Sequence, residues 1–280
     1  MRTIAVLSDS HGNYSALQAV LADAKDQGVT DYLVVGDMVN RGPRPHEVTA
    51  ALQALHPLAW VIGNHEEVYQ SLLAHQFKGF EDNAKAIMAV VTSGYDRSQL
   101  SADEFRFYAS RPLQQDVDID GLILSVFHAT PTSCRGSYTA PDAPQDHFDS
   151  LFEGSNALIA LYGHTHQPLL RPTTHGQLVL NPGSIGQAVT VDLRLAGAKA
   201  EYGLLRIDDG HFAGWEQRNV PYDLAQEIEW AKTSDLPYAN LYLKLIQTGG
   251  FTYNRPAVAA DNLANDFLRQ AQQLIEKDPW

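Results

Sequence analysis

Short apolar runs alternate with helical patterns along the first part of the chain. Buried strands are predicted over residues 4–7, 32–35 and 59–62, because each is a short, continuous apolar run. A helix that begins after the N-cap Asn13 and ends at Gly28 separates the first two strands, and a helix over 47–55 separates the next two. This order of elements predicts parallel strands joined by right-handed crossovers.

The middle of the chain adds a helical stretch and further strands. Residues 67–111 are mostly helical in pattern, and Ser101 with Glu104 forms a capping box there. The later strands are close in sequence, which favours antiparallel pairing between them. We predict an α+β or α/β fold in which two mixed β-sheets pack face to face with helices outside. The additional strands are expected over 122–127, 157–161, 178–180, 202–207 and 211–215.

The apolar pattern changes after residue 218. Leu224, Ile228 and Ala231 lie at helical spacing, and so do Leu263 and Phe267. We therefore predict a core domain over 1–218, which includes the helical segment 67–111. A helical C-terminal appendage over 219–280 is expected to pack on that core.

Composition and charge narrow the classes of partner. The chain has 280 residues, of which 44% are hydrophobic, enough for a sizeable core. Its net charge of −13 argues against a stable nucleic-acid partner, because an acidic surface repels phosphate. A phosphorylated ligand could still bind locally if cations were supplied, and metal ions are the simplest source of them. The oligomeric state is left open.

Three features suggest a cytoplasmic protein without a membrane partner. The single cysteine, Cys134, cannot form an intrachain disulfide, which suits a reducing compartment. No apolar run reaches the roughly 18 residues that a membrane helix needs. The apolar run near the N-terminus is interrupted at Ser8 and is too short for a signal peptide.

Histidine, aspartate and asparagine follow several of the predicted strands at the point where each strand ends. Any one of these residues is typical of a turn or a helix cap. Together they indicate a ligand site, because ligands bind at the carboxyl ends of strands in open α/β sheets. The residues are Asp9, His11, Asp37, Asn64, His65, His128, His164 and His166.

The residue types in this set indicate a metal site. Imidazole and carboxylate without thiolate suit Mn, Fe, Zn, Ni or Co. Seven donors, all but His65, are too many for one tetrahedral site, so two divalent ions are predicted. Two such ions, held about 3.5–4 Å apart, polarise a bridging water into hydroxide and neutralise the oxygens of a phosphoryl group.

The order of these residues resembles that of the calcineurin-like metallophosphoesterases. The turn Asn181-Pro182-Gly183-Ser184 is similar to one in their small prokaryotic, phosphodiesterase-like branch. The resemblance implies a four-layer α/β/β/α sandwich. It rests on five blocks in order, which are Asp9-Ser10-His11, Gly36-Asp37 with Arg41-Gly42, Gly63-Asn64-His65-Glu66, His128 and Gly163-His164-Thr165-His166.

The resemblance also implies a role for each residue. One metal ion would be held by Asp9, His11 and His166, the other by Asn64, His128 and His164, with Asp37 bridging the two ions. Manganese is the favoured metal. The remaining two roles are catalytic: His65 would contact the substrate and protonate the leaving oxygen, and Arg41 would clamp a phosphate.

One position departs from the pattern of the protein phosphatases and dinucleotide tetraphosphatases in this superfamily. Asn40 stands where they carry aspartate before the motif's arginine. If Asn40 faces His65, it can orient the ring but cannot stabilise an imidazolium by charge, which weakens the case for a strong general acid. Arg135, in the loop after His128, is a further candidate to reach substrate.

We therefore predict a metal-dependent phosphoric ester hydrolase that acts on a small phosphodiester or phosphomonoester, such as a nucleotide. A dinucleoside polyphosphate hydrolase is a second candidate, because Asn40-Arg41-Gly42-Pro43 is similar to that group. Three more classes of protein stay open, namely a protein phosphatase, a non-catalytic scaffold on the same fold and a metal-dependent amidohydrolase.

Overall fold

The computed structural model describes residues 1–190 and 199–280. The strands of this part are β1 (Arg2–Leu7), β2 (Asp31–Val34), β3 (Ala59–Trp60), β4 (Gln114–Ile119), β5 (Leu122–Phe127), β6 (Ile159–Leu161), β7 (Leu169–Pro172), β8 (Leu178–Asn181), β9 (Lys199–Asp208) and β10 (His211–Pro221). The helices are α1 (Tyr14–Asp26), α2 (Pro45–Gln53), α3 (Asn64–Leu73), α4 (Ala84–Gln99), α5 (Ala102–Ala109), α6 (Gln145–Asp149), α7 (Leu224–Thr233), α8 (Ala239–Thr248), α9 (Arg255–Ala264) and α10 (Phe267–Lys277).

The first sheet has the order β10-β9-β1-β2-β3. β1, β2 and β3 are parallel, as the alternation of strands and helices predicted, and β9 is antiparallel to both β1 and β10. Helices α1 and α2 pack on the outer face of this sheet. Asn13 caps α1 by accepting from the Ala16 N–H, as expected.

The second sheet has the order β4-β5-β6-β8-β7, with β5, β6 and β8 parallel. The edge strands β4 and β7 were not predicted. β4 has the sequence QQDVDI and is mostly half-exposed, so it lacks the apolar run that marks a buried strand. β7 is a four-residue strand with alternating exposure.

The two sheets bury a shared core between them. Ile4 and Val6 of β1 point into it from one sheet, and Leu124 and Val126 of β5 from the other. Ala5 and Leu7, the alternate residues of β1, face the helices instead. Phe148 of α6 packs on the outer face of the second sheet. This confirms the predicted four-layer α/β/β/α sandwich.

The C-terminal helices share a second core with the helical segment that follows β3. Val90 and Val91 of α4 pack in one cluster with residues of α8, α9 and α10. At Gly94 the helices α4 and α10 come so close that a Cβ would lie 2.5 Å from Leu274 Cδ1. β10 continues to Pro221, across the predicted boundary at 218. The division into core and appendage stays a prediction.

Across residues 1–190 and 199–280, none of the helices combines the length and apolar character needed to cross a membrane.

Candidate metal centre

The fold brings the predicted site residues to one edge of the sandwich. Asp9 and His11 follow β1, Asp37 follows β2, and His128 follows β5, and these four side chains are almost fully buried. His164 and His166 follow β6, and Asn64 and His65 begin α3. The strands that deliver these residues belong to both sheets, so the site lies where the two sheets meet.

Several of the predicted ligands have left-handed backbone conformations. The φ angles are 54° at Asp9, 48° at His11, 53° at Asp37, 65° at His164 and 55° at His166. Residues with a side chain adopt this region infrequently, and such residues concentrate at functional sites. The backbone therefore turns sharply after each strand and directs the side chains inward.

The turns also approach one another closely. A Cβ at Gly63 would lie 2.0 Å from Asp37 Oδ1, and a Cβ at Gly36 would lie 2.7 Å from the Gly63 backbone nitrogen. Both positions therefore require glycine, which explains the two glycines that precede Asp37 and Asn64.

One group of donor atoms is formed by Asp9, His11 and His166. The Nε2 atom of His166 lies 3.2 Å from Asp9 Oδ1 and 3.2 Å from His11 Nε2. His11 Nε2 is 3.7 Å from the same carboxylate oxygen. These three residues are the set implied for the first metal ion.

A second group is formed by Asp37, His128 and His164, with Asn64 beside it. Asp37 Oδ2 lies 3.2 Å from His128 Nε2 and 3.9 Å from His11 Nε2, so Asp37 lies between the two groups. In each group the histidine and carboxylate donor atoms lie within 4.8 Å of one another. His11, Asp37 and His65 also meet this spacing, so His65 adjoins the ligands. The ligand assignments themselves stay predictions.

The amide of Asn64 can be placed in two orientations. In one, Oδ1 lies 2.7 Å from His164 Nδ1, and a cation between them would satisfy both lone pairs. In the other, the amide nitrogen donates to His164 Nδ1 and to Asp37 Oδ2. The first orientation is the one that a metal ligand requires.

Each of the four predicted histidine ligands has one ring nitrogen bonded to a backbone carbonyl and the other facing the site. A carbonyl oxygen can only accept, so the ring nitrogen beside it carries the hydrogen and the site-facing nitrogen of a neutral ring carries a lone pair. This is the tautomer that metal-binding histidines adopt. The pairs are His11 Nδ1 with Asn40 O (3.3 Å), His128 Nδ1 with Val35 O (2.7 Å), His164 Nε2 with Gly136 O (2.9 Å) and His166 Nδ1 with Gln187 O (2.7 Å).

The charges within the site also fit divalent cations. Burial lowers the pKa of His11 to about 3, and burial with the neighbouring His128 lowers the pKa of His164 to about 4, which favours the neutral, ligating form. Burial opposes protonation of His128 too, but the carboxylates of Asp37 and Asp9 raise its pKa to about 10. The buried carboxylates of Asp9 and Asp37 therefore stabilise a positive charge placed near them. Asp9 Oδ1 is buried and accepts no hydrogen bond from residues 1–190 or 199–280, as expected of an oxygen placed for a cation.

Glu66 supports the site, and sequence reasoning gave it no role. Its Oε2 accepts from the backbone N–H groups of Asp37 (2.9 Å) and Gly63 (3.0 Å). Its Oε1 accepts from those of Met38 (2.6 Å) and Val39 (3.3 Å). The carboxylate therefore fixes the loop that carries Asp37 against the start of α3. Only its place in the block Gly63-Asn64-His65-Glu66 marked it beforehand.

The predicted turn at 181–184 lies against the site as well. Asn181 donates to the Gly163 carbonyl (2.7 Å), just before His164. The Ser184 hydroxyl donates to the Asp9 carbonyl (2.8 Å). The turn therefore connects the loops that follow β1 and β6.

Arg41 and His65 lie beside the predicted ligands. The ring centroid of His65 is 5.2 Å from that of His11. The Arg41 guanidinium lies 4.6 Å from the centroid of the Tyr253 ring and 3.4 Å from Gln187 Oε1. Arg41 forms no ion pair with a carboxylate of the described chain, and its buried Nε has no partner there. Such a cation is placed to receive an anion.

Asn40 does not orient the His65 ring, contrary to the arrangement that its place before Arg41 suggested. Asn40 Oδ1 is buried and accepts no hydrogen bond from the described residues, the His65 ring included. The Asn40 amide instead lies beside the buried carboxyl of Asp96. Arg135 is also engaged, because its guanidinium pairs with Glu67 and donates to the Asn64 carbonyl (3.1 Å).

The model of the calcineurin-like phosphoesterase superfamily domain matches residues 1–210, and the chain therefore belongs to this superfamily. A curated relative, the uncharacterized protein MJ0912 of Methanocaldococcus jannaschii, is 29% identical over 200 residues, which cover 66% of this chain and 76% of that protein.

Solved structures share the fold. A metallophosphoesterase from Sphaerobacter thermophilus has 23% identity and a TM-score of 0.66, covering 88% of this chain and 99% of that one. The hypothetical protein PH1004 from Pyrococcus horikoshii has 21% identity and a TM-score of 0.73, and the match covers 89% of this chain and 99% of that one. Both matches cover more of the chain than the family model does, so the shared fold includes part of the chain beyond residue 210.

Proposed function

We propose that this protein is a dinuclear metal-dependent phosphoesterase that hydrolyses a small phosphodiester or phosphomonoester. The observation that carries the proposal is the shared arrangement of the four histidines. Each has one ring nitrogen bonded to a backbone carbonyl. The other nitrogen lies near a buried carboxylate of Asp9 or Asp37 in His11, His128 and His166, and near Asn64 Oδ1 in His164. Such rings are prepared to bind metal.

Two ions would be held by the two donor groups, with Asp37 between them. The metal is proposed to be manganese, and the same ligand types also accept Fe, Zn, Ni or Co. When bound, two neighbouring divalent ions would supply Lewis acidity, which activates water and offsets the charge on phosphate oxygens. The histidines and carboxylates orient that chemistry, because their own positions are fixed by backbone carbonyls and N–H groups.

Arg41 and His65 are proposed to contact the substrate. The Arg41 fork has unused N–H donors beside the site and would bind two phosphate oxygens. His65 would donate a hydrogen bond to the leaving oxygen. Its ring has no carboxylate hydrogen-bond partner in the described chain, so we expect it to position that oxygen more than to act as a strong acid.

The cavity at the site favours a small substrate over a protein. It has a volume of about 270 Å³ and is lined by Asp37, Arg41, Asn64, His65, His164, Thr165, His166, Val189 and Phe251. Ligand pockets for small molecules begin at about 300 Å³, so this space would hold the reacting phosphate and the part of a small ligand next to it. A protein phosphatase is therefore less favoured. A scaffold is less favoured because the histidine and carboxylate ligands are present and grouped. A cytoplasmic location and the absence of nucleic-acid and membrane partners stay predictions.

Hydrolysis by metal-stripped protein, refilled with one metal at a time, tests the proposal. The substrates would be 4-nitrophenyl phosphate and bis(4-nitrophenyl) phosphate. We expect activity only after metal is added and none in Asp37→Asn, while Asp103→Asn, at an exposed carboxylate of α5, behaves like the wild type. His65→Ala should lose a modest part of the rate. Metal-independent hydrolysis, or full activity in Asp37→Asn, would contradict the proposal.

A further inference from the structure

An aromatic side chain from the C-terminal helices forms one wall of the cavity. Phe251 lies in the segment between α8 and α9, and its ring lines the same space as Arg41, His65 and His166. The Phe251 residue is 59% exposed, so its ring is not there to complete a hydrophobic core. Aromatic side chains that line a pocket commonly contact the ligand.

The segment around Phe251 is fixed on both sides of the exposed ring. Gly249 ends α8 in a left-handed conformation, and its carbonyl accepts from the Thr190 N–H (3.0 Å). The Thr252 hydroxyl donates to the Leu241 carbonyl (2.7 Å), and Tyr253 is buried. The exposure of Phe251 is therefore imposed by an anchored backbone, which presents the ring to the cavity.

Two cationic side chains lie near this segment. The Lys85 ammonium donates to the Tyr253 carbonyl and lies 5.7 Å from the centroid of the Phe251 ring. Arg41 lies over the Tyr253 ring from the cavity side. Burial, with the positive charges of Arg41 and Arg255 nearby, lowers the pKa of Lys85 to about 8.

These cations have no carboxylate partner. Within residues 1–190 and 199–280, Arg41, Lys85 and Arg255 form no ion pair with aspartate or glutamate. The chain carries a net charge of −13, so acidic side chains are plentiful elsewhere. Unpaired cations grouped beside an aromatic ring indicate a ligand that combines a planar ring with negative charge.

We propose that Phe251 and Lys85 form a recognition subsite for the part of the ester that is not hydrolysed, and that this part is a nucleotide. The nucleobase would stack on Phe251, and a phosphate beyond the reacting one would pair with Lys85. The inference rests on the proposed function, since it places this subsite beside the phosphoesterase centre. It assigns the choice of substrate to the segment between α8 and α9, which carries Phe251, and to α4, which carries Lys85.

Direct binding to the metal-loaded protein, measured by calorimetry, tests the stacking. AMP and ribose 5-phosphate share the sugar and the phosphate and differ in the base, and phenyl phosphate supplies a ring without a sugar. Stacking of one base changes affinity by roughly 5-fold to 150-fold in proteins that use aromatic platforms. We expect AMP to bind at least ~5-fold more tightly than ribose 5-phosphate.

Variants assign the preference to the ring. Phe251→Leu should remove the preference for AMP, and Phe251→Tyr should retain it because a ring remains. Phe212→Leu is a matched control, since Phe212 is also an exposed phenylalanine but lies near the opposite end of the first sheet. Equal binding of AMP and ribose 5-phosphate by the wild type, or an unchanged preference in Phe251→Leu, would overturn the stacking. A phenyl phosphate affinity that matches AMP would overturn the assignment to a nucleotide.

A comparison of ADP with AMP tests whether Lys85 binds a second phosphate. Lys85→Met should reduce the advantage of ADP over AMP, and Lys85→Arg should retain it. An unchanged ADP advantage in Lys85→Met would overturn the role of Lys85. Hydrolysis without any ring preference would overturn the subsite and leave the phosphoesterase intact. Ring-dependent binding without hydrolysis of any ester would support the subsite and contradict the proposed reaction.

Discussion

Replacing Glu66 with glutamine tests how the site is held in place. The carboxylate accepts from four buried backbone N–H groups, two at each oxygen. Glutamine keeps one accepting oxygen and places an NH₂ group where the other stood. In either orientation two backbone N–H groups then face another donor, and both lose their acceptor.

The expected loss follows from these contacts. An unpaired buried donor costs roughly 1–3 kcal/mol, so two of them lower the free energy of unfolding by about 2–6 kcal/mol. The upper figure is reached only if the loop cannot relax. Because Glu66 binds the N–H of Asp37 itself, the variant should also bind metal about 10–100-fold more weakly, as is usual when a group that orients a ligand is lost.

Two measurements on the same protein separate the effects. Urea denaturation of the metal-free protein gives the free energy of unfolding, and calorimetric titration with Mn²⁺ gives the affinity. Glu47→Gln is the control, because Glu47 is a partly exposed carboxylate paired with Arg44, and such a pair contributes about 1 kcal/mol or less. A Glu66→Gln protein as stable as this control, or one that loses stability but binds metal normally, would refute the role assigned to Glu66.

Two other changes give outcomes with a defined direction. Arg41→Lys replaces a planar guanidinium by a point charge, so kcat/KM should fall by about 10–100-fold while the metal content stays the same. KM and kcat values equal to those of the wild type would contradict a role of Arg41 in binding phosphate. Burial raises the pKa of Asp96 to about 8, against the opposing hydrogen bond from Tyr69. The folded state therefore holds this proton at a pH where the unfolded chain, with its ordinary pKa of 3.8, has lost it. Stability should be lost as pH rises towards about 8, and urea denaturation of Asp96→Asn should show a smaller decline over the same range.

The central strands and the site residues could be predicted because their signals are local. β1 and β5 are mostly apolar and almost fully buried, and a polar residue of the site follows each within two positions, Asp9 after β1 and His128 after β5. The edge strand β4 gave no such signal, since its residues are mostly polar and partly exposed.

The groups that orient the site could not be predicted in the same way. The carbonyls of Val35, Gly136 and Gln187 hold three histidines, but any residue has a carbonyl, so the sequence does not mark them. Phe251 reaches the cavity only because α8, α9 and α10 pack on α4, and that contact joins segments far apart in the chain. Such long-range packing has no counterpart in local periodicity.

The number of metal ions bound per chain tests the central claim most directly. Protein would be loaded with Mn²⁺ and, in separate samples, with each of the other candidate metals. It would then be dialysed against metal-free buffer and analysed by inductively coupled plasma mass spectrometry, with Asp37→Asn and Asp103→Asn in parallel. The account predicts two ions per chain in the wild type and in Asp103→Asn, and a clear deficit in Asp37→Asn, because Asp37 lies between the two donor groups. No stoichiometric metal in the wild type with any of the candidate metals, or two ions retained in Asp37→Asn, would contradict it.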